Sequence, residues 1–213
     1  MPVSASDSEP GRSPALELVL ATGNSGKLAE FRQLMAHRSP GIHLHPQSDF
    51  FSQEAEETGA TFVENAIIKA RHAAKLSQLP ALADDSGLEV DCLAGAPGVF
   101  SRRFAGSQAT DADNITCLLQ RMQGVPRAQR RARFQCVLVY MRHALDPVPV
   151  ICQGTWEGVV LEAPRGQQGH GYDPVFEVPA RQCTAAELDM QVKNSISHRA
   201  QALQQMLERL SAL

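Results

Sequence analysis

The chain has 213 residues, of which 43% are hydrophobic and 20% charged, and its formal net charge is -3. This composition supports one domain, or two joined lobes that share a core, and it excludes global disorder. The small negative charge argues against binding along nucleic-acid phosphates, since such proteins usually carry a clear positive excess. No apolar run reaches the roughly 20 residues that cross a bilayer, and the five cysteines lack metal-site spacing. We therefore expect a cytoplasmic protein with reduced thiols and a small-molecule partner, and with neither nucleic acid nor membrane as a partner.

The N-terminal segment 1–14 is rich in Ser and Pro and has no apolar stretch of the kind found in signal peptides. We expect a disordered tail there, followed by a single domain over residues 15–213. The domain opens with patterns typical of a strand, a loop and a helix. Residues 16–21 predict a buried strand, 22–26 a glycine-rich loop and 27–37 a helix.

The loop between this strand and helix has the chemistry of a phosphate site. Backbone N–H groups at a helix N-terminus attract anions, and a lysine at the end of the loop adds a positive charge. The loop is not a Walker motif, because Ala21 and Leu28 stand where that motif needs Gly and Ser or Thr. An ordinary tight turn before a surface lysine is the alternative. The residues concerned are Thr22, Gly23, Asn24, Ser25, Gly26 and Lys27.

A long helix is predicted next. A short strand over residues 42–45 precedes it, and Thr61 and Glu64 form a capping box from which the helix should run to about residue 79. One face of this helix is polar and consists of Asn65, Lys69 and His72. Such a face is usually solvated, and Lys69 becomes functional only if the helix flanks the glycine-rich loop.

An Asp-Asp-Ser-Gly segment at residues 84–87 follows a short apolar strand, which we predict over residues 81–83. Carboxylates at the C-terminal end of a strand lie where α/β proteins bind their ligands. Adjacent strand residues point in opposite directions, so one aspartate can hold magnesium or prepare a water while the other orients the loop. An Asx turn with solvated charges is the alternative. Glu56 or Glu57, in an acidic loop upstream, is a candidate for a second magnesium carboxylate beside Asp85.

The remaining pattern predicts a mixed sheet with flanking helices and a cleft. Thr184 and Glu187 form a second capping box, and an apolar stripe that ends at Leu210 predicts a C-terminal helix. The other predicted elements are an extended segment over residues 88–93, a helix over 111–122, and two antiparallel strands over 131–143 and 148–161.

Two further segments combine glycines or serines with aromatic and basic side chains. Glycines flank His170, and either His170 or Tyr172 is suited to stack on a nucleobase, with a plain turn as the alternative. Farther on, a serine can cap the final helix, which puts His198 and Arg199 at a helix N-terminus. The helix dipole disfavours cations there, so this mismatch hints at a bound anion or a polarised carbonyl.

A basic cluster precedes the longest predicted strand. Because no aromatic residues are interleaved and the net charge is negative, we interpret it as a solvated entrance to the strand. An RNA-binding surface is the alternative, and its affinity would fall as salt rises. The cluster consists of Arg127, Arg130, Arg131 and Arg133.

Together these segments resemble the inosine triphosphate pyrophosphatase family, of the bacterial dITP/XTP pyrophosphatase type. The resemblance covers nearly the whole chain after the N-terminal tail. Six segments in order carry it: Leu20-Ala-Thr-Gly-Asn-Ser-Gly-Lys27; Glu56-Glu-Thr-Gly59 with Phe62-Val-Glu-Asn-Ala66; Ala83-Asp-Asp-Ser-Gly-Leu88; Gly95-Ala-Pro-Gly98; Gly171-Tyr-Asp-Pro174; and Ser197-His-Arg199.

The resemblance implies an elongated, two-lobed α/β fold with a central mixed sheet flanked by helices and an active-site cleft between the lobes. It also implies a homodimer that uses Mg²⁺ to hydrolyse dITP, ITP and XTP to the monophosphate and pyrophosphate. Such an activity removes these nucleotides before they enter DNA and RNA.

The resemblance also implies roles for individual residues. Asp85 would be the general base and a metal ligand, with Glu56 as the second metal ligand and Ser86 beside the substrate. Lys69 and Lys193 would neutralise phosphate charge or contact the nucleotide. The residues from Thr22 to Lys27 would hold the triphosphate. The base would be held by His170, Gly171, Tyr172, Asp173, His198 and Arg199.

One position departs from the family pattern, since many members carry Phe where this chain has His170. An imidazole can also stack on a purine, so the expected role stays. Two other functions remain open. One is a pyrophosphatase of a sister family that acts on pyrimidine nucleotides, and the other is a nucleotide-binding protein without catalysis.

Overall fold

The computed structural model describes residues 16–36 and 41–212, so the predicted tail at 1–14 and the predicted helix end at residue 37 lie outside the described residues. Seven strands form one sheet in the order β2-β1-β3-β4-β5-β6-β7. Strand β1 is parallel to β2 and β3, and all other neighbours are antiparallel. The predicted α/β fold with a mixed sheet is confirmed. The strands and helices are β1 (Leu16–Leu20), α1 (Ser25–Ala36), β2 (Ile42–Pro46), α2 (Phe62–Ser77), β3 (Ala81–Val90), α3 (Asp111–Arg121), β4 (Arg131–Met141), β5 (Val150–Val160), β6 (Phe176–Val178), β7 (Cys183–Thr184), α4 (Met190–Ile196) and α5 (His198–Leu210).

Strand β3 differs from the prediction. Instead of ending at Ala83 before a loop, it continues through residues 84–87 and ends at Val90. Strand β4 pairs with all ten of its residues, from Ala81 opposite Met141 to Val90 opposite Ala132. This ladder satisfies the backbone throughout and outweighs the local turn preference of Asp, Ser and Gly. The two aspartates therefore lie within a strand and point to opposite faces of the sheet.

Helices cover both faces of the sheet. On one face α1 and α5 pack against β1, β3 and β4, mainly through Phe31, Leu203 and Met206. On the other face α2 presents a row of fully buried alanines, which lets its backbone lie close to the strands. Those alanines are Ala66, Ala70 and Ala73. Alternating strand residues belong to the two faces in turn, as the period of a strand requires.

A second core surrounds the other end of the long strands. Phe134, Trp156 and Phe176 form its aromatic centre, and α3 adds Leu118 and other apolar side chains. Along β3, residues 84–87 separate two apolar stretches. Residues 81–83 pack against the helices on the two faces of the sheet, whereas Leu88 and Val90 belong to this second core. A polar cleft therefore opens between two apolar halves of the molecule.

The end of β1 brings the glycine-rich loop to this cleft. Strands β1 and β3 pair only at Val19 with Ala81 and at Leu20 with Leu82. The next backbone bond runs from the Ala21 N–H to the Leu82 oxygen at 2.8 Å. Because β1 stops there while β3 continues, the loop that follows β1 lies beside residues 84–87.

Of the two predicted capping boxes, one is confirmed and one is wrong. At Thr61 both reciprocal hydrogen bonds are present and α2 begins at the next residue. Thr184 instead ends a strand: its N–H donates to the Glu187 carboxylate at 2.7 Å, and its hydroxyl donates to the Arg165 oxygen at 2.9 Å. These bonds hold a turn, and the next helix begins only after Asp189, which caps it. The predicted C-terminal helix is confirmed as α5, with Ser197 as its cap.

The basic cluster is only partly solvated, so the interpretation as a solvated entrance is wrong for Arg130. Its side chain is buried and donates to the carbonyl oxygens of Val160, Met122 and Leu161 at 2.7, 3.0 and 2.8 Å. The planar guanidinium thus donates to several backbone carbonyls at once. In the described part of the chain, no helix has the length and apolarity to cross a membrane.

Candidate active site

One pocket in the cleft gathers most of the segments that the sequence singled out. It is lined by the glycine-rich loop, the acidic loop, α2, β3, a short 3-10 helix at Gly98–Arg103, the segment 170–173 and the first turn of α5. The predicted residues that line it are Thr22, Gly23, Asn24, Lys27, Lys69, Asp85, Ser86, His170, Gly171, Tyr172, Asp173, His198 and Arg199. Gly26 and Lys193 are next to the pocket without lining it, and the side chain of Ser25 is outside the described part.

The glycine-rich loop is shaped by its own side chains. The Asn24 carboxamide accepts from the Lys27 N–H at 3.0 Å and so caps α1, while the Asn24 N–H donates to the Thr22 hydroxyl at 3.1 Å. A methyl group on Gly23 would meet the Glu54 carboxylate, so a larger residue there would have to displace that side chain. The start of α1 thus faces the pocket, where helix N–H groups favour an anion.

Lys27 is bound to the strand instead of being a free surface lysine. Its ammonium donates to both carboxylate oxygens of Asp84, at 2.9 and 3.1 Å. Burial raises the pKa of Asp84, but the charges of Lys27 and Arg199 outweigh it and hold that pKa well below its usual range. Asp84 is therefore ionised and orients Lys27, which leaves Asp85 as the candidate for a catalytic role.

Asp85 faces α2, where Lys69 meets it. The Lys69 ammonium lies 2.7 Å from Asp85 Oδ1 and 3.1 Å from Glu57 Oε1. Burial raises the pKa of Asp85 above its ordinary value, although Lys69 opposes that shift. The result is a carboxylate that is more basic than an ordinary aspartate and points into the pocket, as a general base requires.

The polar face of α2 is therefore covered by other parts of the protein, so the default expectation of a solvated face is wrong. Asn65 is fully buried and accepts from the Gly59 N–H at 2.8 Å, and His72 contacts the Gln53 oxygen at 2.9 Å. The loop before α2 lies over this face and supplies those backbone partners. Lys69 lines the same pocket as the glycine-rich loop, as its predicted role requires.

Of the two candidate metal carboxylates in the acidic loop, Glu56 and Glu57, only Glu57 lines the pocket in this structure. Glu57 lines it and contacts Lys69, while Glu56 is exposed and does not line it. Neighbouring residues of an extended segment point in different directions, so one side chain turns inward and the other outward. Glu56 as the second metal carboxylate therefore stays a prediction, and Glu57 is the glutamate next to Lys69 and Asp85 in this structure.

Arg199 joins several pocket residues from the start of α5. One terminal nitrogen donates to the Glu30 carboxylate at 2.9 Å and the other to the Ser86 hydroxyl at 3.1 Å. The Ser86 hydroxyl in turn donates to Asp84 at 2.7 Å. Burial raises the pKa of Glu30, but Arg199 and His170 outweigh it and hold that pKa well below its usual range. The guanidinium is thus balanced by Glu30 and Asp84, which resolves the mismatch with the helix dipole.

His198 forms part of an aromatic wall. Its ring stacks on Phe134 at a centroid distance of 4.8 Å and an angle of 13°. Burial and the nearby Arg199 lower the pKa of His198 well below its ordinary value, so the ring is neutral. Its Nδ1 is buried and has no partner among the described residues. A neutral, stacked ring beside a polar pocket suits contact with a flat ligand.

The segment 170–173 closes one side of the pocket. Tyr172 packs in the second core, with its hydroxyl donating to the Ser101 oxygen at 2.8 Å, and only a small part of its side chain reaches the pocket. His170 is more exposed and stays the candidate for base contact. Lys193 is buried and donates to Asp173 at 2.6 Å, so it supports this segment, and its predicted contact with the nucleotide stays a prediction.

Sequence reasoning missed several residues that shape the site. Glu30 gave only a weak signal, because it lies one turn before Leu34 at the edge of the apolar stripe of the predicted helix. Glu54 and Arg103 gave none, since charged residues in loops are common. Phe134 was assigned to a strand core, and its position next to His198 depends on contacts between distant parts of the chain.

Gly154 in β5 allows the start of α5 to lie close to the sheet. A methyl group there would collide with the His198 carbonyl oxygen and come within 2.8 Å of the Ala202 nitrogen. We expect Gly154→Ala to lower the free energy of unfolding by about 1–3 kcal/mol, as overpacking does, and to displace His198 and Arg199. Urea unfolding measures the first effect and nucleotide binding the second. Gly41→Ala is the control, since nothing lies within 4 Å of that position; equal effects of the two changes would contradict the close-approach argument.

The protein has an α/β fold with a mixed sheet, and its cleft brings lysines, carboxylates and a glycine-rich loop together. This arrangement is typical of the class of α/β proteins that bind and cleave phosphorylated ligands. Residues 18–209 match the model of the Ham1 family. The dITP/XTP pyrophosphatase of Idiomarina loihiensis is 56% identical over 196 residues, which are 91% of this chain and 97% of that protein. This chain belongs to the Ham1 family.

Two other comparisons agree with this assignment. The dITP/XTP pyrophosphatase of Escherichia coli K12 is 54% identical over 194 residues, which cover 91% of this chain and 98% of that protein. The solved structure of a HAM1 protein from Coxiella burnetii is 54% identical, with a TM-score of 0.85, and the match covers 93% of this chain and 100% of that one. The family resemblance inferred from the six sequence segments is confirmed.

Proposed function

We propose that the chain hydrolyses the non-standard purine nucleotides dITP, ITP and XTP to the monophosphate and pyrophosphate, and so removes them from the pool used for DNA and RNA. The relatives from Idiomarina loihiensis and Escherichia coli are named for this activity. The observation that carries the proposal is the contact of Lys69 with Asp85 at 2.7 Å, in the pocket that the glycine-rich loop also lines. A protein that only binds nucleotides needs no basic carboxylate next to its phosphate-binding cations.

Magnesium is part of this proposal. The Lys69 ammonium lies between Asp85 and Glu57, so the carboxylate oxygens at this point already stabilise a cation. Among residues 16–36 and 41–212, no group of three or more His, Cys, Asp or Glu side chains is placed to hold a metal ion. Magnesium takes only one or two protein carboxylates and completes its shell with water and phosphate oxygens. Asp85 with either Glu56 or Glu57 fits that need.

The chemistry assigns distinct work to each residue. Bound magnesium would offset the phosphate charge that resists a nucleophile. Asp85 accepts a proton from the water that attacks the α-phosphorus in line with the leaving group. Lys27 and the N–H groups of the glycine-rich loop stabilise the charge that develops on the departing pyrophosphate. Lys69 keeps Asp85 oriented and balances the charge of the triphosphate.

Base selectivity is assigned to His198 and Arg199. Nη1 of Arg199 donates to Glu30 at 2.9 Å and has a long contact, 3.5 Å, to His170 Nε2. Nη2 donates to Ser86 at 3.1 Å and keeps a second N–H, so both nitrogens can offer a donor to a ligand. We propose that these donors, with the neutral His198 ring, face the keto oxygen at position six of hypoxanthine or xanthine. Adenine carries an amino group there and would leave buried donors unpaired, which is costly.

A substrate panel tests the proposal. With magnesium, we expect ITP, dITP and XTP to release pyrophosphate with a kcat/KM at least about a hundredfold above that for ATP, because ATP leaves buried donors unpaired. With EDTA in place of magnesium, release should stop. The measurement is pyrophosphate release from ITP, XTP, dITP, GTP, ATP and UTP.

The outcomes separate the rival functions. Faster cleavage of UTP than of ITP would favour the sister-family activity on pyrimidine nucleotides. Nucleotide binding without pyrophosphate release from any substrate would favour a binding protein without catalysis. A homodimer, a cytoplasmic location and the absence of nucleic-acid and membrane partners complete the proposal, and sedimentation of the purified protein tests the dimer.

A further inference from the structure

The cations of the pocket differ in how firmly they are held. Lys27 donates to Asp84 at 2.9 Å, and Lys69 donates to Asp85 at 2.7 Å. Arg103 has one long contact instead, 3.5 Å from its Nη1 to Glu57 Oε2. Its Nε and Nη2 donate to no other group in the described part of the chain. Of the cations that pair with a carboxylate at the pocket, Arg103 can therefore change partners at the lowest cost. Its neighbour Arg102 also lines the pocket but is exposed and pairs with no carboxylate among the described residues.

Arg103 also has a defined position. It ends the 3-10 helix at Gly98–Arg103, which is fixed to β3 because the Leu88 N–H donates to the Ser101 hydroxyl at 2.9 Å. A methyl group on Gly87 would come within 2.5 Å of that hydroxyl, so the helix lies directly on the strand that carries Asp85. The backbone of Arg103 is thus held near the reacting groups.

The guanidinium itself lies at the edge of the pocket. It is 5.2 Å from the centre of the Phe100 ring, and the Arg103 side chain is 37% exposed. Contacts lead from Asp85 to Lys69, then to Glu57, and finally to Arg103. This series runs from the buried strand to the surface, so Arg103 is at the outer end of the charged groups.

We propose that Arg103 is a substrate-binding residue that leaves Glu57 and grips the two outer phosphates, which depart as pyrophosphate. The inference rests on the proposed function and extends it to a residue outside the glycine-rich loop. Arginine suits this task because its planar fork binds two phosphate oxygens at once. Phe100 supports the guanidinium from one side, and Glu57 keeps Lys69 as its partner after the exchange.

Titration with inorganic pyrophosphate in the presence of magnesium tests the proposal by calorimetry. We expect Arg103→Ala to weaken pyrophosphate binding by about tenfold or more, as loss of a charged hydrogen-bond donor does. Inhibition of ITP hydrolysis by IMP should stay within about twofold of the unchanged chain, because IMP lacks the outer phosphates. Arg103→Lys should bind pyrophosphate more tightly than Arg103→Ala and less tightly than the unchanged chain, since lysine keeps the charge and loses the fork.

Arg121→Ala is the matched control. Arg121 also lies over a phenylalanine, 4.1 Å from the Phe104 ring centre, but it is exposed and outside the pocket. Its loss should leave both ligands unaffected. Unchanged pyrophosphate binding by Arg103→Ala would overturn the proposal, and so would an equal weakening of pyrophosphate and IMP. If the unchanged chain binds pyrophosphate through Arg103 but cleaves no nucleotide, the proposed function fails while the Arg103 assignment stands.

Discussion

Asp85→Asn is expected to lower kcat/KM for ITP by at least about 150-fold, which equals ~3 kcal/mol of transition-state stabilisation. The amide keeps the size of the side chain but removes the negative charge and the ability to take a proton. Lys69 would lose its closest carboxylate, at 2.7 Å, and would keep Glu57. The measurement is steady-state pyrophosphate release at saturating magnesium.

The pH dependence of the same assay gives a second test. Burial raises the pKa of Asp85 above its ordinary value, so the carboxylate is protonated at a higher pH than a solvated aspartate would be. The acid limb of kcat/KM should therefore lie above the ordinary aspartate range when magnesium is low, and should move to lower pH as magnesium rises because a bound cation favours the ionised carboxylate. The residual activity of Asp85→Asn should lack that limb. Near-normal turnover by the variant would show that another group takes the proton.

Glu89→Gln is the matched control for this experiment. Glu89 lies on the same strand and the same face as Asp85, but it is outside the pocket and contacts Gln135. Its replacement should leave kcat/KM unchanged.

In the same series, Glu56→Gln and Glu57→Gln identify the second metal carboxylate. Replacing the glutamate that binds magnesium raises the magnesium concentration for half-maximal rate, and replacing the other glutamate does not.

Short-range features of this chain were predictable, because the residues that determine them are neighbours in sequence. The capping box at Thr61 and the glycine-rich loop before α1 depend on only a few consecutive residues. Strand β3 was predicted too short since its continuation depends on β4, some fifty residues later. A turn-prone sequence stays extended when a partner strand satisfies its backbone, and no local pattern contains that information.

The candidate site shows the same division. The sequence suggested Lys27, Asp85 and Arg199 as functional residues, and the fold brings all three to one pocket. It did not reveal that Asp84 orients Lys27, or that Glu30 holds Arg199 across 169 positions of the chain. Buried ion pairs of this kind depend on packing between α1, β3 and α5, which periodicity does not specify.

Arg199→Met is expected to lower the free energy of unfolding at pH 7 by about 3–5 kcal/mol, because it leaves a buried carboxylate without its partner. Arg199 and Glu30 are each only 6% exposed at the side chain and lie 2.9 Å apart. Asp84 keeps Lys27, whereas Glu30 keeps only the longer contact with His170 at 3.5 Å, so the poorly compensated charge is that of Glu30. Urea unfolding of the variant and the unchanged chain gives the difference directly.

Two further measurements distinguish this cause from a general loss of packing. Adding Glu30→Gln to the variant removes the unpaired charge, so the double variant should be more stable than Arg199→Met alone. The ion pair lowers the pKa of Glu30 below its ordinary value of 4.5, so its contribution is complete above that pH and is lost as the pH falls toward the lowered pKa. The gap between Arg199→Met and the unchanged chain should accordingly narrow in acid. A gap that is independent of pH, with no recovery in the double variant, would mean that Arg199 stabilises the fold through its volume and not through its charge.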